Sequence, residues 1–324
     1  IIQALEKAAQ NGKQVTVLME VKARFDEANN ILMARRLEKA GAHVIYGLVG
    51  LKTHSKCTLV IRREMDGIRR YVHVATGNYN ASTAKLYTDL GIFTCNDRFG
   101  SDASAFFNLL SGYSDPPIWD SFIVAPINLR QRCMELIDRE IHFAQQGEPA
   151  HMVAKMNSLL DKEIIAKLYE ASRAGVKIEL IVRGICVLIP GIPGISDNIT
   201  VRSLVGRFLE HSRVFWFANG GREELYIGSA DWMPRNLNDR VELMVPVKDR
   251  ELCQRLKNMV RLELADNQKA HIMQSDGTWV KDIAPVDRVC AQAEFQRLAE
   301  KRDRDVEMTL AQKMEPYVPV LGKR

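Results

Sequence analysis

A chain of 324 residues is long enough for about two domains, and 46% hydrophobic content is ordinary for a globular protein. No apolar run can span a bilayer, no signal peptide is visible, and the six cysteines have neither disulfide nor metal spacing, so we expect a reducing cytoplasm. A net charge of +5 is too small to reveal a polyanionic substrate by composition alone.

The first part of the chain alternates between predicted strands and helices. Val15–Glu20 reads as a buried strand, Glu27–Ala40 as a helix and Ala42–Tyr46 as a second strand. A hairpin follows, in which strands 57–61 and 70–75 flank a turn signal at Asp66-Gly67.

The second part of the chain repeats this order of elements. The corresponding predicted strands and helices are Ser121–Ala125, Leu129–Gln145, His151–Met156, Asp161–Ala174, Val176–Val182, Val214–Phe217 and Glu224–Ile227. Strands that alternate with helices predict an α/β domain, which this chain uses twice.

One short motif occurs at the same place in each repeat, immediately before the hairpin. The first copy reads Lys52-Thr53-His54-Ser55-Lys56, and the second reads Glu210-His211-Ser212-Arg213. The return strands are followed by Gly77-Asn78 and Gly228-Ser229. A His-x-Lys/Arg motif on duplicated hairpins indicates two imidazoles that face one phosphate across a pseudo-twofold axis.

The spacing between the copies locates an insertion. Gly41 and Gly175, which both end helices, are 134 positions apart, whereas His54 and His211 are 157 apart. The second copy therefore carries about 23 extra residues, and the turn-rich segment 190–194 marks their position. The first copy lacks the opening strand and helix start of the second, so we expect a C-terminal fragment of a longer chain.

Several motifs resemble a known family. Two His-x-Lys-like motifs on duplicated α/β halves resemble the phospholipase D superfamily, although neither copy has the usual Asp a few residues after the Lys. Four longer motifs are more particular: residues 21–30, Lys52–Lys56, Ala75–Asn80 and Val205–Arg213. Together they resemble the catalytic half of the large polyphosphate kinase family, and the similarity extends to about Val306.

The resemblance implies two tandem phospholipase D-like α/β domains related by pseudo-twofold symmetry, each a mixed sheet flanked by helices. We expect a first, N-terminally truncated domain at 1–117 and a second at 118–306. A charged tail would follow at 307–324. The highly charged stretch from Glu294 to Lys313, which overlaps the start of that tail, reads as a surface helix or a loose tail.

The implied activity is reversible transfer of the terminal phosphate of ATP to inorganic polyphosphate through a phosphohistidine. Such chemistry depends on positioning and charge neutralisation. By resemblance His54 is the phosphorylated nucleophile, His211 the second active-site histidine, and Tyr87 and Arg183 nucleotide-binding residues. The family associates Arg24 with a Mg²⁺ site, but a guanidinium has donors only, so we expect Arg24 to clamp phosphate beside the ion.

Other residues are expected to support the site. Lys56 and Arg213 would contact phosphate oxygens, and an Arg at the second position suits bidentate contact. Arg207, with Arg202, would line the polyphosphate path. Asn78, Asn80 and Ser229 would orient the histidines or phosphates, with a plain turn role nearly as well supported. No carboxylate cluster predicts a protein-built Mg²⁺ cage, so Mg²⁺ would arrive mostly on nucleotide phosphates.

The expected partners are ATP or ADP and polyphosphate, with no nucleic acid. The resemblance also implies a homo-oligomer in the full-length form and peripheral membrane association in some members. Two alternatives remain open. One is a phospholipase D-type phosphodiesterase or phosphatidyltransferase, which would share the covalent histidine but attack a diester. The other is a non-catalytic polyphosphate-binding fragment.

Overall fold

The computed structural model describes residues 1–20, 27–112, 118–283 and 286–313, with side chains described as far as residue 304. The first half contains seven described strands and three described helices: α1 (Ile2–Gln10), β1 (Thr16–Met19), α2 (Glu27–Lys39), β2 (His43–Tyr46), β3 (Lys52–Thr53), β4 (Lys56–Glu64), β5 (Gly67–Ala75), β6 (Tyr87–Thr88), β7 (Gly91–Thr94) and α3 (Asp97–Leu110).

The second half repeats the order and adds elements: β8 (Ile123–Ala125), α4 (Leu129–Gln145), β9 (His151–Met156), α5 (Lys162–Arg173), β10 (Lys177–Val182), β11 (Ile199–Leu204), β12 (Leu209–Glu210), β13 (Arg213–Phe217), β14 (Glu224–Gly228), α6 (Pro234–Asn238), β15 (Arg240–Val247), α7 (Arg250–Leu264), β16 (Ala270–Met273), β17 (Trp279–Lys281) and α8 (Ala291–Lys313). The predicted mixed α/β fold is confirmed.

Local sequence sets the ends of the main helices. Asp161 caps α5 by accepting from Ile164 N at 3.1 Å, and Asp249 caps α7 by accepting from Leu252 N at 2.9 Å. Gly41 and Gly175 follow α2 and α5 with φ angles of 95° and 96°, which an L side chain would rarely adopt. The two glycines are therefore structural equivalents, as their predicted alignment requires.

The second half is built on a sheet of ten strands in the order β17-β16-β11-β10-β9-β13-β14-β15-β3, with β8 also paired to β15. Strands β9, β10 and β11 are parallel, and β13, β14 and β15 are antiparallel. Strand β11 lies within the inserted stretch, so the insertion adds a strand as well as the turn-rich loop before it.

The first half has the same elements in two smaller sheets, a parallel pair β1-β2 and an antiparallel sheet β4-β5-β7. Strand β1 lies within the predicted range Val15–Glu20, but it is partly exposed, so only its predicted burial is wrong. The ten-stranded sheet places its equivalent strand, β9, between β10 and β13, whereas β1 pairs with β2 alone among the described residues. Pairing on one side only leaves β1 less covered.

The hydrophobic core has two parts. One part lies between α4, α5 and the second-half sheet, with Ile137, Leu168 and Phe215 at its centre. The other is shared between the halves, because it contains Val72 and Val74 of β5 together with residues of α3, β13 and α7. This shared core holds the two halves against each other.

Two predicted boundaries remain predictions. The domain boundary expected between residues 117 and 118 adjoins residues 113–117, which lie outside the described residues. The limit expected at residue 306 lies within α8, so the charged segment from Glu294 to Lys313 is helical. No helix in the described part of the chain combines the length and apolar character needed to cross a membrane.

Candidate active site

His54 lies at a junction between the halves. Strand β3, just before it, pairs in parallel with the start of β15, so that Lys52 lies opposite Arg240 and Thr53 opposite Val241. The His54 backbone N donates to the carbonyl oxygen of Val241 at 2.9 Å. The second half therefore fixes the backbone on which this histidine sits.

A buried carboxylate orients the His54 ring. Its Nδ1 lies 2.9 Å from the carboxylate of Glu242, which is fully buried and also accepts from the Ser229 hydroxyl. Because an ionised carboxylate only accepts, Nδ1 carries the ring proton and Nε2 keeps its lone pair. Burial lowers the pKa of His54 despite the opposing effect of Glu242, so the ring is neutral at pH 7.

His211 has the same arrangement with the halves exchanged. Strand β12 pairs in parallel with β6, so that Leu209 lies opposite Tyr87. The Nδ1 of His211 lies 2.8 Å from Asp89, which accepts from the Thr76 hydroxyl at 2.7 Å. Burial is again the main cause that lowers the pKa of the histidine. Each half thus supplies the carboxylate that orients the histidine of the other.

The strand pairing corrects the register of the repeat. In the two hairpins Lys56 lies opposite Ala75, and Arg213 opposite Gly228. Thr76 is therefore the structural equivalent of Ser229. The sequence pairs Gly77-Asn78 and Gly228-Ser229 would instead align Asn78, two positions later, with Ser229. In agreement, the two hydroxyls accept from the backbone N of Leu90 and of Leu243 respectively, each at 3.0 Å.

Two buried cations link the histidines. Lys56 is buried, donates to the His54 carbonyl oxygen, and has a pKa lowered to about 7 chiefly by burial. Arg213 is also buried, and its Nη1 lies 3.2 Å from His211 Nε2. Both cations act to lower the pKa of both histidines. The two His-x-Lys/Arg motifs therefore form one site.

The Arg213 guanidinium has partners within the protein. Its Nε and Nη2 donate to the carboxylate of Asp231 at 3.1 and 3.2 Å, and Nη1 donates to the His211 carbonyl oxygen at 2.7 Å. A guanidinium has five N–H groups, and a fourth faces His211 Nε2 at 3.2 Å, so one N–H remains for a phosphate oxygen. Arg213 thus positions His211 and keeps capacity for an anion.

Arg183 and Tyr87 lie on the His211 side. The Tyr87 ring centroid is 4.9 Å from that of His211. Arg183, just past the end of β10, donates through Nε and Nη2 to Asn157 Oδ1 at 3.0 and 2.6 Å. Tyr87 and Arg213 both act electrostatically on Arg183, so the predicted nucleotide residues are brought to the histidines.

Other predicted site residues are exposed or play local roles. Asn78 is exposed, and Arg207 is exposed with its guanidinium 5.5 Å from the Phe208 ring centroid. Asn80 accepts from the backbone N of Ser82 and of Thr83, which is a turn role. Arg202 donates to the Asp266 carbonyl oxygen at 3.4 Å. Arg24 lies outside the described residues.

The sequence reading missed the two carboxylates that orient the histidines. Neither Asp89 nor Glu242 is among the site residues predicted from the sequence. One signal marks Glu242, since it is the one charged residue in the otherwise apolar run 241–247. Its counterpart Asp89 lies in a short polar stretch, where no such contrast exists.

The described residues do not fit a protein-built metal site. No group of three or more His, Cys, Asp or Glu side chains comes together in the described part of the chain in a way that could hold an ion. The nearby carboxylates Asp89, Asp231 and Glu242 are already engaged with His211, Arg213 and His54 respectively.

Comparison with known proteins gives matches along most of the chain. Residues 1–116 match the family model "Polyphosphate kinase C-terminal domain 1", and residues 122–292 match "Polyphosphate kinase C-terminal domain 2". A polyphosphate kinase from Thermosynechococcus vestitus is 56% identical over 279 residues, which are 86% of this chain and 38% of that protein. One from Synechocystis is 57% identical over 281 residues, 87% of this chain and 39% of that protein.

A solved structure gives the same result. The crystal structure of polyphosphate kinase from Porphyromonas gingivalis matches 94% of this chain and 47% of its own chain, with a TM-score of 0.87 and 39% identity. The fold and site define a class of α/β protein in which two related halves share one histidine pair. Within that class, the chain belongs to the polyphosphate kinase family and contains its two C-terminal domains. It spans about two fifths of the length of the curated relatives quoted above.

Proposed function

We propose that this chain carries the catalytic centre of an ATP:polyphosphate phosphotransferase, with His54 as the residue that becomes phosphorylated. The observation that supports this most directly is the neutral His54 imidazole, whose Nδ1–H faces Glu242 and whose Nε2 keeps a free lone pair. A neutral imidazole in this orientation is an effective nucleophile toward phosphorus.

In the first step His54 Nε2 attacks the terminal phosphorus of ATP. An N–P bond forms, the bond from phosphorus to the bridging oxygen breaks, and ADP leaves with the bonding electron pair. The imidazole becomes positively charged, and the Glu242 carboxylate at 2.9 Å stabilises that charge. The Lys56 ammonium and the remaining Arg213 donor neutralise the phosphoryl oxygens.

In the second step a terminal oxygen of polyphosphate attacks the phosphorus. The N–P bond breaks, and the electron pair returns to Nε2, so the neutral imidazole is restored. Because the oxygen that leaves in the first step and the oxygen that attacks in the second are both weakly basic, little general acid–base catalysis is needed. His211, held by Asp89 and adjacent to Arg213, binds phosphate rather than supplying a large rate factor.

Nucleotide recognition is assigned to Arg183 and Tyr87. Both lie on the His211 side of the site, and Arg183 is already oriented by Asn157. A guanidinium offers planar, bidentate contact to phosphate, whereas the tyrosine ring offers a surface for the base or ribose. Lys56 and Arg213 would then hold the phosphate being transferred.

The test is phosphoenzyme formation from γ-labelled ATP by the intact protein. We expect an acid-labile, base-stable label that peptide mapping places on His54 and that is passed to polyphosphate. His54→Gln should abolish the label. His142→Gln serves as the matched control, because His142 is an exposed histidine on α4 away from the site.

Three other results would contradict this assignment. Label on His211 with none on His54 would reverse the proposed roles of the two histidines. No label from ATP, together with hydrolysis or transfer of a phosphodiester, would favour a phospholipase D-type enzyme. Retention of polyphosphate without any label would indicate a binding module.

The remaining expectations concern the intact protein. We propose ATP or ADP and inorganic polyphosphate as partners, Mg²⁺ carried by the nucleotide, a homo-oligomer, peripheral membrane association and no nucleic acid. A cytoplasmic location is supported by the six cysteines, all free thiols. Size measurement and cell fractionation of the intact protein test the assembly and the location.

A further inference from the structure

A buried charge cluster lies next to the site but takes no part in the proposed chemistry. It consists of Lys155 on β9, Glu210 on β12 and Glu263 on α7, with exposures of 2%, 3% and 1%. Lys155 Nζ lies 2.7 Å from Glu210 Oε2 and also donates to Glu263 Oε1. Three elements of the second half therefore meet at one ammonium group.

The cluster of one ammonium and two carboxyl groups has no net charge when one carboxyl group is protonated. Burial raises the pKa of Glu263 to about 7, whereas the Lys155 ammonium holds the pKa of Glu210 below its ordinary value against the effect of burial. Glu263 Oε2 also has no hydrogen-bond partner in the described part of the chain, which suits a neutral carboxyl group. Glu210 is accordingly the ionised partner of Lys155.

Glu210 connects this cluster to the first half. Its Oε2 accepts from the Thr88 hydroxyl at 2.8 Å, and its Oε1 accepts from Gln292 Nε2 at 2.6 Å. The Thr88 hydroxyl oxygen also accepts from the His211 backbone N at 3.3 Å. Thr88 lies between Tyr87 and Asp89 in the chain. Its hydrogen bonds to Glu210 and His211 therefore also position Tyr87 and Asp89, the two residues that face the His211 ring.

Each histidine and its carboxylate form a dyad. The equivalent position in the His54–Glu242 dyad has no such connection to a buried charge among the described residues. Thr53 precedes His54 where Glu210 precedes His211, and Val241 precedes Glu242 where Thr88 precedes Asp89. Neither Thr53 nor Val241 carries a charge, and Val241 has no hydroxyl. The two dyads thus share backbone pairing but differ in what holds that pairing together.

We propose that Lys155 and Glu210 are positioning residues that fasten the segment Tyr87–Asp89 onto the strand preceding His211. The ammonium group fixes the Glu210 carboxylate, which holds Thr88 and thereby sets Asp89 against His211 Nδ1. Charged hydrogen bonds are roughly twice as strong as neutral ones, and burial strengthens them. The kinetic consequence rests on the proposed function, but the placement of His211 does not.

The test compares Thr88→Val and Lys155→Met with the wild type by ¹⁵N NMR of the histidine rings. Thr88→Val is close in shape and removes only the hydroxyl that joins Glu210 to the His211 segment. We expect His211 to lose its single Nδ1–H tautomer and its pKa to fall further, because the Asp89 hydrogen bond opposes that fall. His54 signals should stay unchanged.

Kinetics of the intact protein give a second readout. We expect kcat to fall about tenfold in Thr88→Val, the loss that corresponds to weakening one charge-assisted hydrogen bond. The KM for ATP should also rise, since Tyr87 moves with Asp89. Lys155→Met leaves two buried carboxyl groups without their cation, so the double variant Lys155→Met/Glu210→Gln should be prepared in case the single one does not fold.

Glu140→Gln is the matched control. Glu140 is equally buried but binds the backbone N of His151 and of Asn219, which lie at the opposite end of β9 and β13 from the histidine pair. It should lose stability without changing the His211 tautomer. The proposal is overturned if Thr88→Val keeps the wild-type tautomer and pKa of His211. Failure of the kinase function alone would appear as absent labelling in the wild type, with the NMR effects intact.

Discussion

At the residue scale, each histidine is controlled by one carboxylate from the other half of the chain. Glu242 fixes the His54 proton on Nδ1 and lies 2.9 Å from the ring, where positive charge develops on phosphorylation. We expect Glu242→Gln to slow phosphohistidine formation by roughly 10- to 100-fold, because a charged hydrogen bond worth about 1.5–3 kcal/mol becomes a neutral one. Rapid-quench labelling measures this rate.

The chain provides a matched control for that substitution. Glu179 also pairs with a histidine, since its carboxylate lies 2.8 Å from His151 Nε2 on the far part of the sheet. Glu179→Gln should leave labelling unchanged. An equal loss in both variants would mean that the Glu242 effect is general destabilisation rather than control of His54.

Also at the residue scale, the Lys56 ammonium should make the affinity for phosphate depend on pH. Burial lowers its pKa to about 7, and bound phosphate favours the charged form. Affinity for phosphate or polyphosphate should therefore be constant below pH 7 and fall by up to about tenfold per pH unit above it. Calorimetric titration from pH 6 to 9 checks this. Lys56→Met should bind more weakly and lose that slope, whereas a wild-type slope in Lys56→Met would exclude Lys56 as its source.

At the scale of elements, the same hairpin design is used twice. Thr76 follows β5 and supports Asp89, and Ser229 follows β14 and supports Glu242. We expect Ser229→Ala to alter the tautomer and pKa of His54 alone, and Thr76→Val those of His211 alone. Histidine ¹⁵N NMR of both variants tests this. A change that spreads to both rings would show that the dyads are not independent.

At the scale of the whole molecule, the shared core predicts joint unfolding. Phe106 of α3 is 1% exposed and belongs to the cluster that contains Val72 of β5 and Trp216 of β13. Phe106→Ala should cost about 3–5 kcal/mol of unfolding free energy. Denaturation followed by circular dichroism and by tryptophan fluorescence should shift together. Two separate transitions would show that the halves unfold independently.

Stability should also depend on pH through Glu263. Its carboxyl group faces Lys155 of β9 and Glu210 of β12, and burial raises its pKa from 4.5 to about 7. The folded protein then binds a proton that the unfolded chain releases above pH 4.5, so this contribution is full below pH 4.5 and is lost as pH rises to about 7. Glu263→Gln should remove that part of the pH dependence, as urea denaturation at pH 5 and pH 7.5 would reveal. An unchanged profile would assign the titration elsewhere.

Much of the fold follows from local pattern. The helix Leu129–Gln145 and the strand His151–Met156 have the predicted bounds, because apolar periodicity and helix-ending signals are encoded within each segment. The duplication was visible for the same reason, since both copies repeat a motif at a similar place. The register of Thr76 with Ser229 was not visible, because it depends on which residues face each other across the hairpins.

The sequence by itself determined the α/β duplication and the pair His54 and His211 with their neighbouring cations. The tertiary structure alone decided that Glu242 orients His54 and Asp89 orients His211. Each carboxylate is more than 120 residues from its histidine, and only the parallel pairing of β3 with β15 and of β6 with β12 brings them together. The Lys155–Glu210–Glu263 cluster has the same origin, because its members face one another only once β9, β12 and α7 pack.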